Sequence, residues 1–386
     1  MFGVLPTAAV TSPVGLVGPV QADSIDALKG AACSLIVWHH LAAYGPMSDV
    51  VHLTVPGVIG WLYDEARLAV QVFLVVGGFL SAGALSRHQD RSVHQPPRFF
   101  QQIVQRFSRL APAYWVALLV SVAVSAAVRP WFDHPSVPDA PTWLQVAAHV
   151  PLLQDVLGQK ALSAGIWYVA IDLQLYALAA LVMLAGGLAR RSGASTATAR
   201  RVAMAATWGL AALSLLVFNR QAGLDITALY FFGAYGMGML AFWTTQVTAP
   251  RERLLWLALL TLTSLLALWV DFRARIALAL MVALVLVWLQ PPAGAVPGAT
   301  CRRIARTPVA WLAWLGKRSY AIFLIHFPVC LLFNAVLARA FPTELWANAL
   351  GMLAAFGVSV LAGVLLHRHV EMRVRRQPAP PVWVAV

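Results

Sequence analysis

A long apolar run at residues 25–44 carries ionisable side chains near both of its ends. Lys29 lies near the start of the run, and His40 follows eleven positions later. On an α-helix this spacing turns through roughly 1100°, close to three full turns, and separates the two residues by about 16 Å along the axis. They therefore share one face. An imidazole there can act as a base or nucleophile near neutral pH, and an ammonium group can bind an anion.

The neighbouring ionisable residues differ in where they point. Asp26, three positions before Lys29, lies on the same face, whereas His39 is rotated by about 100° from His40. Ionisable groups inside a membrane helix are costly and by default line a bundle interior or a wet cavity. A histidine that only hydrogen-bonds a neighbouring carbonyl is the alternative, and it fits His39 better than His40. We expect His40 to share a cavity with Lys29.

The composition is that of a polytopic membrane protein. Of the 386 residues, 60% are hydrophobic and only 11% are charged, which is more apolar surface than a soluble protein of this size buries. Apolar runs long enough to cross a bilayer recur along the chain. We predict an all-α membrane helix bundle of about ten transmembrane helices. The predicted spans are 25–44, 66–85, 108–128, 164–188, 202–219, 226–246, 253–270, 274–290, 309–338 and 345–367.

The basic residues predict the orientation of these spans. Most of the 28 Lys and Arg residues fall in loops after every second span, which places those loops and both termini in the cytoplasm. Membrane topology thus accounts for the net charge of +13 without a nucleic-acid partner. The predicted outer side carries the remaining basic residues. They are Arg67, Arg129, Lys160, Arg220, Arg273, Arg275 and Arg339.

The chain divides into an N-terminal tail (1–24), an integral-membrane domain (25–371) and a C-terminal tail (372–386), and we expect no appended soluble domain. The long outer loop at about 129–163 is rich in proline and aromatic residues. Such a loop is more often functional than a bare connector. Its aromatic residues are candidates either for stacking on sugars or for anchoring in the membrane interface. These candidates are Trp131, Phe132 and Trp143.

The three cysteines are spaced too far apart for a metal-binding motif, and we expect no metal site. Two of them, Cys33 and Cys330, lie within apolar runs, and we expect all three, with Cys301, to be core residues.

Several motifs in chain order resemble the integral-membrane acyltransferase-3 family. Lys29 and His40 resemble its opening [RK]-x10-H motif, and VFLVVGGFL (72–80) resembles its F-F-x-x-S-G-F, with Gly77 in the serine position. Asp172 takes the place of the usual glutamate in IWYVAIDLQLY (166–176). The other matching segments are RFSRLAPAYW (106–115), LGKRSYAIFLIHFPV (315–329) and Val370-Glu371.

This resemblance implies an activity. The family moves an acyl group, most often acetyl from cytoplasmic acetyl-CoA, to a carbohydrate hydroxyl beyond the membrane. The chain is therefore expected to be a multi-pass O-acyltransferase of the bacterial inner membrane, with acetyl-CoA as donor and no permanently bound cofactor. The acceptor is expected to be a cell-envelope or exported carbohydrate, or a lipid-linked glycan. His40 is the candidate general base or transient acyl carrier, and Lys29 is expected to bind the donor's phosphates or stabilise charge near the thioester.

The resemblance also assigns roles to other charged residues. Arg106 and Arg109, three apart at the predicted cytoplasmic start of the third span, suit pyrophosphate binding, although basic residues there also serve topology. Asp172 lies inside a span and needs a partner, either an arginine or the histidine itself. We expect Asp172 to support the catalytic site.

Three residues near the end of the chain are candidate substrate contacts. Ser319 and His326 are seven positions apart, two helical turns, and so face the same way, with Tyr320 beside them. A simply packed histidine is the alternative for His326.

Two other functions remain open from the sequence. A proton-coupled transporter or polysaccharide exporter could use Lys29, His40 and Asp172 as an intramembrane relay. A degenerate family member with a scaffolding role would explain the departures at Gly77 and Asp172. Retention of Lys29 and His40 argues against the scaffold. The sequence does not separate acetyl from succinyl donors, and it does not indicate an oligomeric state.

Overall fold

The computed structural model describes residues 19–91, 99–289 and 308–376, and all regular elements in these ranges are helical. The first part comprises α1 (Pro19–Ala43), α2 (Pro46–His52), α3 (Pro56–Asp64), α4 (Val70–Arg91), α5 (Phe99–Val128), α6 (Trp143–His149) and α7 (Trp167–Arg191). The second part comprises α8 (Thr196–Leu216), α9 (Ala228–Gln246), α10 (Pro250–Val270), α11 (Ala274–Leu289), α12 (Pro308–Gly316), α13 (Ser319–Ala340), α14 (Leu345–Leu366) and α15 (Met372–Arg376).

Seven helical segments in the described ranges are long and apolar enough to cross a membrane, and α11 is a shorter apolar helix. The predicted all-helical fold with several membrane-length apolar helices is therefore confirmed for the described ranges. The helices α1 and α9 cover two more predicted spans but are less apolar, because ionisable residues interrupt α1 and glycine and tyrosine residues dilute α9. The count of ten spans and the cytoplasmic position of the termini stay predictions.

Three helix boundaries differ from the predicted ones. Helix α1 begins at Pro19, inside the predicted tail at 1–24. Helix α5 begins at Phe99, so Arg106 and Arg109 lie within the helix and not at its start. The first part of α5 was not included in the predicted span because its residues are too polar to belong to an apolar run. The predicted ninth span is divided into α12 and α13 by a turn at 317–318.

Glycines bring helix backbones into direct contact at two crossings. A Cβ atom on Gly78 of α4 would lie 1.9 Å from the carbonyl oxygen of Tyr235 in α9, and one on Gly238 would lie 1.9 Å from that of Val75. A Cβ atom on Gly316 of α12 would likewise lie 1.7 Å from the carbonyl oxygen of Asp26. Close helix packing through small residues is typical of membrane bundles. The glycine-rich segment 230–238 thus contributes to close packing of α9 against α4.

The long loop after α5 folds back on itself around α6. Thr142 and Gln145 form a capping box at the start of α6, and the Gln145 side chain also donates to the carbonyl oxygen of Lys160 at 2.7 Å. His149 donates through Nδ1 to the carbonyl oxygen of Gln145 at 2.7 Å and accepts at Nε2 from the amide of Leu162 at 3.2 Å. These bonds fix the end of the loop where it enters α7.

The predicted roles of several residues are resolved by their burial. Cys33 and Cys330 are buried core residues as predicted, and Cys301 lies outside the described ranges. Phe132 is also a core residue, packed with Phe327 of α13, so its candidacy for sugar stacking was wrong. Trp143 is 90% exposed, and its role as a sugar or interface contact stays a prediction.

Candidate active site

The centre of the candidate site is a pair of buried histidines from two helices. His40 of α1 and His326 of α13 have ring centroids 4.7 Å apart. His40 is 8% exposed and His326 is fully buried. Cys33 lies seven residues before His40 on α1, and its thiol donates to the carbonyl oxygen of Ser319 at 3.5 Å. Ser319 and His326 thus lie on one face of α13, as their spacing predicted, and this face is turned toward α1.

Each ring of this pair has a buried nitrogen that makes no hydrogen bond within the described part of the chain. His326 Nδ1 lies 2.6 Å from the carbonyl oxygen of Phe323, which can only accept, so Nδ1 carries the proton. In the neutral ring Nε2 then presents a lone pair, and it has no hydrogen-bond partner in the described part of the chain. His40 Nδ1 is also buried without a partner there. Buried polar atoms without protein partners are uncommon, and a water, an ion or a reacting group can supply the missing partner.

Aromatic rings surround the histidine pair. Tyr44 stacks on His40 at 5.1 Å, and Phe323 lies 5.9 Å from His326. The His39 ring contacts His40 edge-on, but His39 Nδ1 donates to the carbonyl oxygen of Leu62 at 3.1 Å. His39 therefore has the carbonyl-bonded role that was its alternative in the sequence. The pair lies in an apolar setting that excludes bulk water, which strengthens electrostatic interactions inside it.

Lys29 lies on the same helix as His40 but is bound locally. Its ammonium group forms an ion pair with Asp26 at 2.7 Å, and both side chains remain partly exposed, at 22% and 17%. Lys29 therefore lies at an accessible end of α1, and the buried imidazole of His40 lies on the same predicted face about 16 Å further along the helix axis.

Asp172 of α7 has an arginine as its partner. Arg106 of α5 donates to Asp172 Oδ2 through Nη2 at 2.6 Å and through Nε at 3.2 Å. The guanidinium also lies over the ring of Tyr176, 5.3 Å from its centroid. Arg109 is exposed. The structure therefore does not bring Arg106 and Arg109 to one ligand-binding pair, because Arg106 is turned to the acid inside the bundle.

The remaining substrate candidates differ in what they contact. Ser319 is buried beside α1. Tyr320 points instead to α5, where its hydroxyl donates to the carbonyl oxygen of Leu110 at 2.8 Å. Ser319 thus lies on the side of the histidine pair, whereas Tyr320 joins α13 to the helix that carries Arg106.

The intramembrane relay is not supported by these contacts. Lys29 is paired with Asp26, Asp172 with Arg106, and His40 with His326. These are three separate contacts, and a proton relay needs neighbouring groups that exchange protons. The transporter alternative is therefore not favoured.

The comparison with known proteins agrees with the order of the motifs. A family profile described as an acyltransferase domain, that of the acyltransferase-3 family, matches residues 22–368. The chain belongs to the acyltransferase-3 family. The resemblance predicted from the motifs is confirmed, and the match extends over both histidines, the Arg106–Asp172 pair and Lys29.

One curated relative of this acyltransferase-3 chain is the "Regulator of hypoxia-inducible factor 1" of Caenorhabditis elegans. It is 26% identical over 127 residues, which cover 33% of this chain and 25% of the relative. The matched region thus spans about a quarter of the relative's length. No solved structure matches the chain.

The two departures from the family motifs are neighbours in space. A Cβ atom on Gly77 would lie 3.7 Å from Asp172 Oδ1 and 3.3 Å from the ring of Tyr235. A serine in this position would therefore place its hydroxyl beside the carboxylate. In this chain Asp172 instead accepts two hydrogen bonds from Arg106.

Sequence reasoning missed the contact between the two histidines, although it singled out each of them. The sequence contains part of the information that this contact needs, because both motif histidines lie in apolar runs and Tyr44 follows His40 by one helical turn. The pairing itself joins residues 286 positions apart, and a single sequence does not encode which helix faces meet.

Proposed function

We propose that this acyltransferase moves an acetyl group from cytoplasmic acetyl-CoA to a hydroxyl of a cell-envelope or exported carbohydrate, in the inner membrane of a bacterium. The observation that supports this is the buried His40–His326 pair, with one unpartnered nitrogen on each ring. A group that accepts a proton from a hydroxyl in a water-poor site is what acyl transfer to an alcohol requires.

Two routes are compatible with this pair. In the first, an imidazole takes the hydroxyl proton as the acceptor oxygen attacks the thioester carbonyl, and the leaving thiolate takes that proton. In the second, the lone-pair nitrogen of His40 attacks the thioester carbonyl, and the N–H proton of His40 passes through His326 Nε2 to the leaving coenzyme A thiolate. The acceptor hydroxyl then attacks the acyl-imidazole and returns its proton to the imidazole. In either route His326 Nε2 accepts a proton, from His40 or from the acceptor.

The donor is proposed to enter from the end of α1 that carries Lys29. Lys29 and Arg109 are both accessible and would bind the phosphates of acetyl-CoA. The charge of Arg106 is neutralised by Asp172. We therefore propose that this ion pair positions the helices around the thioester, and that its role is not phosphate binding alone. We propose that Ser319, two helical turns before His326 on the same face of α13, contacts substrate, and that Tyr320 holds α13 against α5.

The experiment is transfer of radiolabelled acetyl from acetyl-CoA to envelope glycan in membranes that contain the protein. His40→Ala is expected to lower transfer by about 100-fold or more, the range for loss of a general base. Lys29→Ala is expected to raise the KM for acetyl-CoA. His39→Ala is the matched control, one position away on the same helix, and is expected to stay active at equal abundance.

Two results would contradict this proposal. If wild-type membranes transfer no label from acetyl-CoA or succinyl-CoA to any glycan, the acyltransfer function fails for carbohydrate. If His40→Ala transfers as well as wild type, the assignment of His40 fails while the family activity stands.

A further inference from the structure

Tyr44 is the first residue after α1, and its ring is stacked on the imidazole of His40. The two ring centroids lie 5.1 Å apart, and the ring planes are inclined by only 12°. One helical turn separates the two residues, and the amide of Tyr44 donates to the carbonyl oxygen of His40 at 3.0 Å. His40 is buried, whereas Tyr44 is partly exposed at the end of the helix. Neither route of the proposed mechanism uses Tyr44.

The plane of the His40 ring is not fixed by the helix that carries it. The χ2 torsion of a histidine is broad, so the backbone leaves the imidazole free to rotate about this bond. In many active sites a hydrogen bond to the second ring nitrogen fixes the imidazole. His40 Nδ1 is buried and has no such partner in the part of the chain that the structure describes. Packing against neighbouring rings therefore orients this imidazole.

Among the described rings that contact His40, the ring of Tyr44 is the one that lies parallel to the imidazole. The ring of His326 is inclined by 49° at a centroid distance of 4.7 Å, and that of His39 by 63° at 5.2 Å. A parallel ring in contact opposes rotation about χ2, because a turned imidazole would push its edge into the tyrosine face. Tyr44 thus restricts the ring plane of His40 more directly than either histidine does.

Tyr44 is itself held in place by contacts with α13. Its ring meets that of Phe327 edge-on, at a centroid distance of 5.6 Å and an angle of 84°. The chain then turns at Gly45, where a Cβ atom would overlap the side chain of Asn334. Asn334 is fully buried on α13, and its Oδ1 accepts from the amide of Met47 at 3.1 Å. These contacts tie Tyr44 to the helix that carries the second histidine of the pair.

We propose that Tyr44 is a positioning residue for acyl transfer, and that its stacked ring holds the His40 imidazole in the plane in which it exchanges a proton with His326. The ring of Tyr44 has this role, and its hydroxyl does not. This inference rests on the proposed function for the reaction, whereas the orienting effect of the ring rests on the contacts of Tyr44 alone. Misplacing a reacting group by about 1 Å can lower a rate by roughly 100-fold, so loss of the stack is expected to lower kcat.

The kinetic test compares two substitutions at this position with a matched one elsewhere on α1, at equal amounts of folded protein. Tyr44→Phe keeps the ring and is expected to keep the wild-type kcat for acetyl transfer. Tyr44→Leu loses the ring and is expected to lower kcat by about tenfold or more. The KM for acetyl-CoA is expected to stay unchanged, because Tyr44 and Lys29 lie at opposite ends of α1. Trp38→Leu is the matched control, since Trp38 stacks on Phe356 of α14 at 5.2 Å and 17°, and it is expected to keep the wild-type kcat.

Nuclear magnetic resonance measures the orienting effect without relying on activity. The purified full chain is labelled with ¹³C at histidine Cε1 in neutral detergent, and the His40 signal is identified by its loss in His40→Ala. The order parameter of the Cε1–Hε1 group is expected to show a rigid ring in wild type, in Tyr44→Phe and in Trp38→Leu. It is expected to fall in Tyr44→Leu, because the imidazole then rotates about χ2. Tyr44→Met, which fills more of the space, replaces Tyr44→Leu if that variant does not accumulate.

The possible results separate this inference from the proposed function. Equal losses of kcat in Tyr44→Phe and Tyr44→Leu would overturn the role of the ring and assign it to the hydroxyl. A wild-type kcat in Tyr44→Leu, or an equally low kcat in Trp38→Leu, would overturn the positioning role while the proposed function stands. An unchanged order parameter in Tyr44→Leu would overturn the orienting effect. If the wild type transfers no acetyl but the order parameter falls in Tyr44→Leu, the proposed function fails and the orienting effect stands.

Discussion

The ion pair between Asp172 and Arg106 shows how burial determines what a charged residue contributes to stability. Their side chains are 9% and 30% exposed, and they are joined at 2.6 Å. Asp172→Asn removes one partner and leaves a guanidinium without its counter-charge inside the bundle. Losing one partner of a buried pair typically costs 3–5 kcal/mol. Because Arg106 keeps some exposure, we expect Asp172→Asn to lower the free energy of unfolding by about 3 kcal/mol.

The measurement is reversible unfolding in mixed micelles, with an accessible ion pair as control. Arg201 and Glu252 form a bidentate pair in which Arg201 is 58% exposed. Glu252→Gln is expected to lower the free energy of unfolding less than Asp172→Asn does, because water screens the exposed Arg201 charge. The double variant Arg106→Met with Asp172→Leu is expected to recover most of the loss, because both charges are then absent. Equal losses for Asp172→Asn and Glu252→Gln would contradict the buried-pair interpretation.

At the scale of single residues, the sequence predicts which residues are important more accurately than it predicts which partners they contact. An acid inside a span requires a partner, so an arginine for Asp172 was foreseeable. The identity of Arg106 was hidden because its helix was predicted to begin nine residues later, which left Arg106 and Arg109 at a cytoplasmic end. The pairing of His40 with His326 was hidden because it depends on how α1 packs against α13.

At the scale of secondary-structure elements, the outer loop contains a histidine, His149, whose protonation destabilises the folded loop. Burial lowers the pKa of His149 below its usual value near 6.5, and the bond to the Gln145 carbonyl only partly offsets this. Since the folded-state pKa is the lower one, the unfolded loop binds the extra proton. The stability that His149 contributes is complete above about pH 6.5 and is lost as the pH falls below that value.

We therefore expect acid to loosen the segment that leads into α7. Protonation of His149 Nε2 removes the acceptor of the Leu162 amide, which now lies 3.2 Å away. Hydrogen exchange at Leu162, corrected for intrinsic rates, is expected to be faster at pH 5.5 than at pH 7.5. His149→Leu should exchange fast at both values, and the control His134→Ala should keep the wild-type response. Equal protection of Leu162 at both pH values in wild type would refute this prediction.

The elements also show what apolar pattern alone determines. The predicted spans 253–270 and 345–367 nearly coincide with α10 and α14, because a lipid-facing helix needs an apolar run of bilayer length. The turn between α12 and α13 was not predicted, since both flanks are apolar. The close crossing of α4 and α9 was foreseeable from glycine composition, but not the partner glycines Gly78 and Gly238.

At the scale of the whole molecule, the proposed function requires that the donor and the acceptor reach the site from opposite sides of the membrane. The donor is proposed to approach Lys29 from the cytoplasm, and the acceptor is proposed to approach the histidine pair from outside. This arrangement requires that the end of α1 near Lys29 is cytoplasmic. The basic residues predict that orientation.

Cysteine labelling tests the orientation directly. Cys33 and Cys330 are buried, so replacing Cys301 by serine gives a background with little reactivity. Ala140 lies exposed in the loop after α5, and Ala197 lies exposed at the start of α8. We expect a membrane-impermeant maleimide to label Ala140→Cys in intact cells, and Ala197→Cys only after the cells are opened. The two positions are separated by one predicted span, α7, so opposite accessibility follows from a single crossing.

The alternative outcomes have different consequences for the mechanism. The reverse pattern, with Ala197→Cys labelled from outside, would place Lys29 away from cytoplasmic acetyl-CoA, and the proposed route of the donor would fail. Labelling of both positions from outside would mean that α7 does not cross the membrane. Asp172 would then lie at an interface, where water screens its pair with Arg106, and the expected cost of Asp172→Asn would fall toward that of Glu252→Gln. The labelling pattern and the unfolding measurement therefore check each other.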